Sequence, residues 1–360
     1  MPRAPRKRSP RTTAEFDRQF GDTLLSVIAK RLEGTDTDLD DEPLVHATVA
    51  AMASAADDIV ANMVKVSAVV MRRRQSARRG FERRLARTWA HSFDAFGHLC
   101  AVYTEYGEEY YATGIVDDSV RDSALFKALL QLHGRSCRVA CEIEALLRSG
   151  LPDGAFARWR TLHEIAVIAL FMAQEGETVA RSYLDHDIVK RYKLMLTHEK
   201  YAQTLGHQPP TEAERTAVHD AYKTVVASHG AGFAEEYGWA AAALNKPRPK
   251  FVDLERHVKL DRFRPYYSWS SSSVHAGSHG LAGFAGGFRL VRPMPAGSTN
   301  QGLADPGQNT AISLSQIFAA VSVVRASPFF TLSSIVVGKL AKRCQDAFIA
   351  EDRNLKQGVS

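Results

Sequence analysis

Residues 165–172 read IAVIALFM, eight apolar side chains in a row with no glycine or proline among them. Such a run is too long and uniform for an amphipathic surface helix and far short of the roughly 20 residues a membrane span needs. It predicts a helix buried on all sides, which a chain can supply only by wrapping other helices around it. The spacing places that helix over about 155–174, with Asp153 as its N-cap and Glu175–Gly176 as its end. No run of alternating apolar and polar residues marks a strand, and no segment repeats. The fold class expected is all-α: a multi-helix bundle of roughly ten to twelve helices with no substantial sheet.

Further helices are expected over about 14–32, from Leu44 into an arginine-rich stretch, and over 81–111, 119–149, 177–205, 211–228, 251–260, 265–276, 309–326 and 328–352. The stretch 47–71 is apolar but interrupted by Asp57, Asp58, Asn62 and Lys65, and 311–338 contains Arg325 and Pro328. Both read as buried or oligomer-forming helices, and no membrane span is expected. Leu85, Trp89, Phe93 and Phe96 form one apolar stripe after Gly80, where a break is expected. Three regions follow: a disordered basic tail over 1–13, an N-terminal helical region over 14–112, and a helical core domain over 113–355.

The net charge of +6 is concentrated in two places. Residues 1–11 carry five basic residues and no acidic one, and residues 71–87 carry eight arginines against Glu82. The rest of the chain is net acidic, so the basicity is local. On one helical face Arg72, Arg79, Arg83 and Arg87 would recur together, a surface suited to RNA or another polyanion. With four cysteines in 360 residues and no secretory signal at its start, the chain is expected in a reducing cytoplasm. Cys137 and Cys141 are expected to pack in the core rather than bind zinc.

Two clusters carry the polar chemistry. RWRTLHE (158–164) opens the central helix, and its Arg160 and Glu164 share a face, with Arg158 and His163 beside them. Charges at the mouth of a buried helix need partners, which makes this either an Arg–Glu clamp between helices or a polar pocket. RPYYSWSSSSVHAGSH (264–279) places Tyr267, Ser271 and His275 at successive spacings of four. Arg160, Glu164, Tyr267, Ser271 and His275 are expected to converge on one partly buried site. His275 and His279 are also four apart, but Gly277 falls between them and no third ligand follows at a fixed spacing, so no metal and no cofactor are expected.

The segments EIEALLRSGLPDGAFARWRTLHEIAVIALFM (142–172), FAEEYGWA (233–240) and YYSWSSSSVHAG (266–277) carry a resemblance to a widespread bacterial all-helical family described only as a domain of unknown function. It extends over 125–192 and 232–281. It implies an Arg–x3–Glu pair at Arg160 and Glu164, and a later Tyr/Ser…His element at Tyr267, Ser271 and His275. The chain is more distantly similar to the HEPN group, whose ribonuclease members act in phage defence and toxin systems through an Arg–x4–6–His motif without metal. Arg84/His91, Arg158/His163, Arg181/His186 and Arg191/His198 match that spacing, about as many as chance supplies in so arginine-rich a chain.

Two functions follow as expectations. One is a metal-independent ribonuclease or related effector in phage defence or stress response. Its general acid–base group would be His163 or His275, with Arg158 or Arg160 stabilising phosphorane charge and Glu164 beside them. The other is a non-catalytic module binding a nucleotide, nucleic acid or protein partner. A homo-oligomer or a partner protein is expected in either case.

Overall fold

A computed structural model describes residues 42–275, 297–325 and 327–358. The basic tail, the helix expected over 14–32, His279 and the glycine-rich run 277–287 lie outside the described residues. The chain divides into two units, Met1–Phe81 and Glu82–Ser360. Its helices are α1 (Glu42–Thr88), α2 (Ala90–Gly114), α3 (Ala124–Arg148), α4 (Pro152–Glu175), α5 (Glu177–Asp185), α6 (Asp187–Tyr201), α7 (Glu212–His229), α8 (Phe251–His257), α9 (Arg264–Ser272), α10 (Ala304–Val324) and α11 (Pro328–Lys356). Among the described residues there is no strand, and the fold is all-α. None of the described helices is long and apolar enough to cross a membrane.

In the first unit the described chain is α1 alone, and it does not break at Gly80. A single helical glycine costs only about 1 kcal/mol relative to alanine. The turns around it hold Ala77, Arg78, Arg79, Glu82, Arg83 and Arg84, all good helix formers. The interruption falls instead at Trp89, whose backbone (φ −108°, ψ 28°) leaves the helical region. Arg74 and Arg78 are exposed, and the apolar stripe is buried only from Leu85 onward.

The second unit is built around α4. It packs between α3 and α10; α9 closes against its N-terminal half, and α8 lies along its later turns, with Glu255 at His163 and His257 at Phe171 and Glu175. Trp159, Leu162, Ala166, Val167, Phe171 and Met172 have no exposed surface, so the apolar run does occupy the centre. Trp159 Nε1 donates to Ser313 Oγ of α10 at 3.1 Å, which satisfies the indole where no water reaches. The stripe of α2 meets α11 around one ring. Trp89, Phe93 and Phe96 lie 5.8, 6.4 and 6.2 Å from Phe348, ring centre to ring centre. Gly307 on α10 lets that ring approach, since a Cβ there would lie 2.5 Å from Phe348 Cζ.

Two helix N-termini are capped by carboxylates from other helices. Glu177 accepts from the backbone of Ala124 and Leu125 and from the N-cap Ser123. Glu351 accepts from His91 N and Ser92 Oγ at the start of α2. Each places negative charge where unpaired N–H groups and the helix dipole favour it. Asp153 does not act as a cap. Helix α4 begins one residue earlier, at Pro152, and makes no side-chain cap bond, because its N-cap residue is Leu151, whose side chain has no acceptor. Likewise the helix expected over 177–205 divides at His186, whose buried ring bonds Glu235 O at 2.9 Å.

Candidate functional site

The site forms where the first turns of α4 meet α9. Residues four apart lie on one helical face, and Arg160 and Glu164 use that face to reach α9. Arg160 Nη2 donates to Tyr267 Oη at 2.5 Å and lies 3.1 Å from Glu164 Oε1. Tyr267 Oη in turn donates to Glu164 Oε1 at 2.6 Å. Arg160 Nε donates to Ser271 Oγ at 3.2 Å, and its guanidinium carbon stands 4.5 Å over the Tyr267 ring. Four of the five expected residues therefore touch.

His275 sits differently. Helix α9 ends at Ser272, not at 276, and His275 is exposed in the turn beyond it. Its backbone N–H still donates to Ser271 O at 3.0 Å, one turn away from the cluster. The serines explain the early end. Ser270 and Ser271 hydroxyls both bond Tyr267 O, and Ser272 bonds Trp269 O, so side chains draw on the carbonyls that hold a helix together.

A second polar cluster lies directly behind the first, and the spacing of residues did not disclose it. Glu255 on α8 has no exposed surface. His163 Nε2 lies 3.0 Å from its Oε1, and Arg264 Nη1 donates to its Oε2 at 2.7 Å. Burying a carboxylate is tolerated only with such partners. The two clusters share Tyr267: the Arg264 guanidinium lies 5.0 Å over its ring, and the His163 ring is 5.8 Å from it. In FVDLERH (251–257) the glutamate looks like a surface residue, and only the flanking Phe251 and Leu254 hint that this short helix is buried.

Arg158 and His163 do not meet. Five helical residues separate them by about 140° around the axis. Arg158 turns to α3, with Nε 2.5 Å from Glu142 Oε2, while His163 turns to Glu255. His163 is 1% exposed, so solvent does not reach its ring.

Burial, reinforced by the hydrogen bond to Glu164, raises the Tyr267 phenol above its ordinary range. Burial followed by the charges of Glu236 and Glu164 raises Tyr237 as well. Both stay protonated at neutral pH, and Tyr267 serves as a donor, not a base. Burial pushes the Cys137 thiol to about 11 and that of Cys344 to about 12; Cys141, expected in the core with Cys137, is instead exposed on α3, and Cys137 is only partly buried. Among the described residues no group of three or more His, Cys, Asp or Glu side chains could hold a metal ion. Arg72, Arg79, Arg83 and Arg87 are exposed along α1.

The segment that carries this geometry has known relatives. Residues 126–288 match a family of unknown function, DUF5677. The match contains Arg158, Arg160, His163, Glu164, Glu255, Arg264, Tyr267, Ser271 and His275, and it ends before α10 and α11. No curated protein and no solved structure matches the chain.

Proposed function

We propose that the second unit is a non-catalytic binding module whose Arg160–Glu164–Tyr267–Ser271 site takes a nucleotide by the edge of its base. The observation that carries this reading is what the cluster leaves open. Among the described residues Arg160 Nη1 and Glu164 Oε2 make no hydrogen bond, and the two side chains are 29% and 26% exposed. A donor and an acceptor thus stand side by side at the surface, on a base of Tyr267 and Ser271 that fixes both rotamers. A bare phosphate would meet the repulsion of Glu164. A guanine edge offers O6 to the arginine and N1–H with N2–H to the carboxylate, and so matches both.

Titration calorimetry of guanosine monophosphate against the adenosine, cytidine and uridine monophosphates tests this. Guanosine monophosphate should bind with a dissociation constant of about 1–100 µM, and the other three should bind more weakly. Glu164→Gln and Arg160→Lys should each cost roughly tenfold or more, since each leaves a base group unpaired. No binding of any of the four at millimolar concentration would end the proposal. The second outcome is a HEPN-like metal-independent ribonuclease, for which the exposure of His275 beside Ser271 is the supporting observation. Cleavage of RNA by the purified protein, lost in His275→Gln, would replace the binding module by that enzyme.

A further inference from the structure

From Val45 to Val70, apolar residues recur at alternating spacings of four and three: Val45, Val49, Met52, Ala56, Ile59, Met63, Val66 and Val70. This is a 3.5-residue repeat sustained over about four heptads, the pattern of a coiled-coil seam. All eight lie within α1, along ~39 Å of helix at 1.5 Å per residue. Where described, the seam is open to solvent: Val49, Met52, Met63 and Val70 are 59%, 46%, 60% and 41% exposed. The flanking positions hold Ala53, Ala55, Val60, Asn62, Ser67 and Val69, with no charge to repel a neighbour. Asp57, Asp58 and Lys65 fall on the far side of the repeat.

We propose that this seam is closed by the same helix of a second copy, running antiparallel. The repeat fixes the register. Antiparallel packing sets first-position residues of one helix opposite fourth-position residues of the other. Val49 then faces Val66 of the second copy, Ala56 faces Ile59, Met63 faces Met52, and Val70 faces Val45. The next step of the same register brings Arg73 opposite Glu42 at both ends of the pair. A parallel pair in register would instead set Arg73 on Arg73 and Glu42 on Glu42. The neighbours sharpen the contrast, because Asp40 and Asp41 precede Glu42 and Arg72 and Arg74 flank Arg73. Charge complementarity therefore selects both the partner and its direction, and opposed helix dipoles favour the same choice. This inference is independent of the nucleotide site.

Sedimentation velocity on the full chain, at low ionic strength and up to about 100 µM, should show a dimer or an even-numbered multiple of it. Val49→Asp with Met63→Asp should yield a monomer. Arg73→Glu should raise the dissociation constant roughly tenfold by setting two like-charged pairs at the ends, and Glu42→Arg in the same chain should restore it. The charge exchange leaves the apolar seam intact, so it reads the interface even if the aspartate variant loses helix. A monomeric wild type would overturn the proposal, as would an unchanged association state in Val49→Asp/Met63→Asp. An Arg73→Glu effect that Glu42→Arg does not rescue would overturn the antiparallel register.

Discussion

His133 on α3 shows what burial does to one titratable ring in this core. It is 4% exposed, stacks on Tyr103 at 4.4 Å between ring centres and donates from Nε2 to Tyr103 O, 3.2 Å away. Gly107 makes the space, since a Cβ there would lie 1.9 Å from His133 Cε1. Burial pushes the histidine down from 6.5 to about 4. A depressed histidine is neutral in the folded chain while the unfolded chain already binds a proton. Its contribution is therefore present above pH 6.5 and lost as pH falls toward 4. Across that window the wild type should lose about 3 kcal/mol through this ring. Urea unfolding at pH 7 and pH 4.5 should show His133→Gln losing markedly less between the two; equal losses would remove the ring from the pH dependence. The sequence did not disclose this environment, nor Glu255 and Arg264, because a lone charged or aromatic residue has no period. Arg160 and Glu164 were readable for the opposite reason: their spacing of four dictates a shared face.

The helices were readable where composition is one-sided and obscure where a single contact decides. IAVIALFM announced the central helix, and Leu85–Phe96 announced the buried stripe. The break at Trp89 rather than Gly80, the division at His186 and the end of α9 at Ser272 each turn on backbone or side-chain bonds that no spacing encodes. Helix α1 also carries the chain's densest charge, with Arg72, Arg79, Arg83 and Arg87 exposed along it. If these side chains hold single-stranded RNA, log affinity should fall with log salt by about 0.7 for each phosphate contact. Replacing the four by glutamine should flatten that slope by up to about 3. Binding that ignores salt, or absent binding at low salt, would leave the arginines as a solvated or protein-facing surface.

The family match and the physical core of the second unit have different extents. The match runs over 126–288, yet α4 is covered by α10, and α10 and α2 are themselves held by α11. Without the segments outside the match, Trp159 loses the Ser313 hydroxyl, His133 loses the Tyr103 ring and carbonyl, and Phe126 loses Tyr110 at 5.2 Å. A large apolar face of α4 would then meet water, at about 25 cal/mol for each Å² exposed. Residues 126–288 expressed alone should accordingly be helical but loosely packed: far-UV circular dichroism retained, near-UV signal weak, a fluorescent apolar probe bound and no sharp thermal transition. Residues 82–360 should melt cooperatively, because that segment holds α2, α10 and α11 together with the site. A sharp, cooperative melt of the shorter segment would show that the Arg160–Glu164–Tyr267 cluster and the buried Glu255 are enough to organise the helices around them. In that case the outer helices would be an addition to the fold and not its condition.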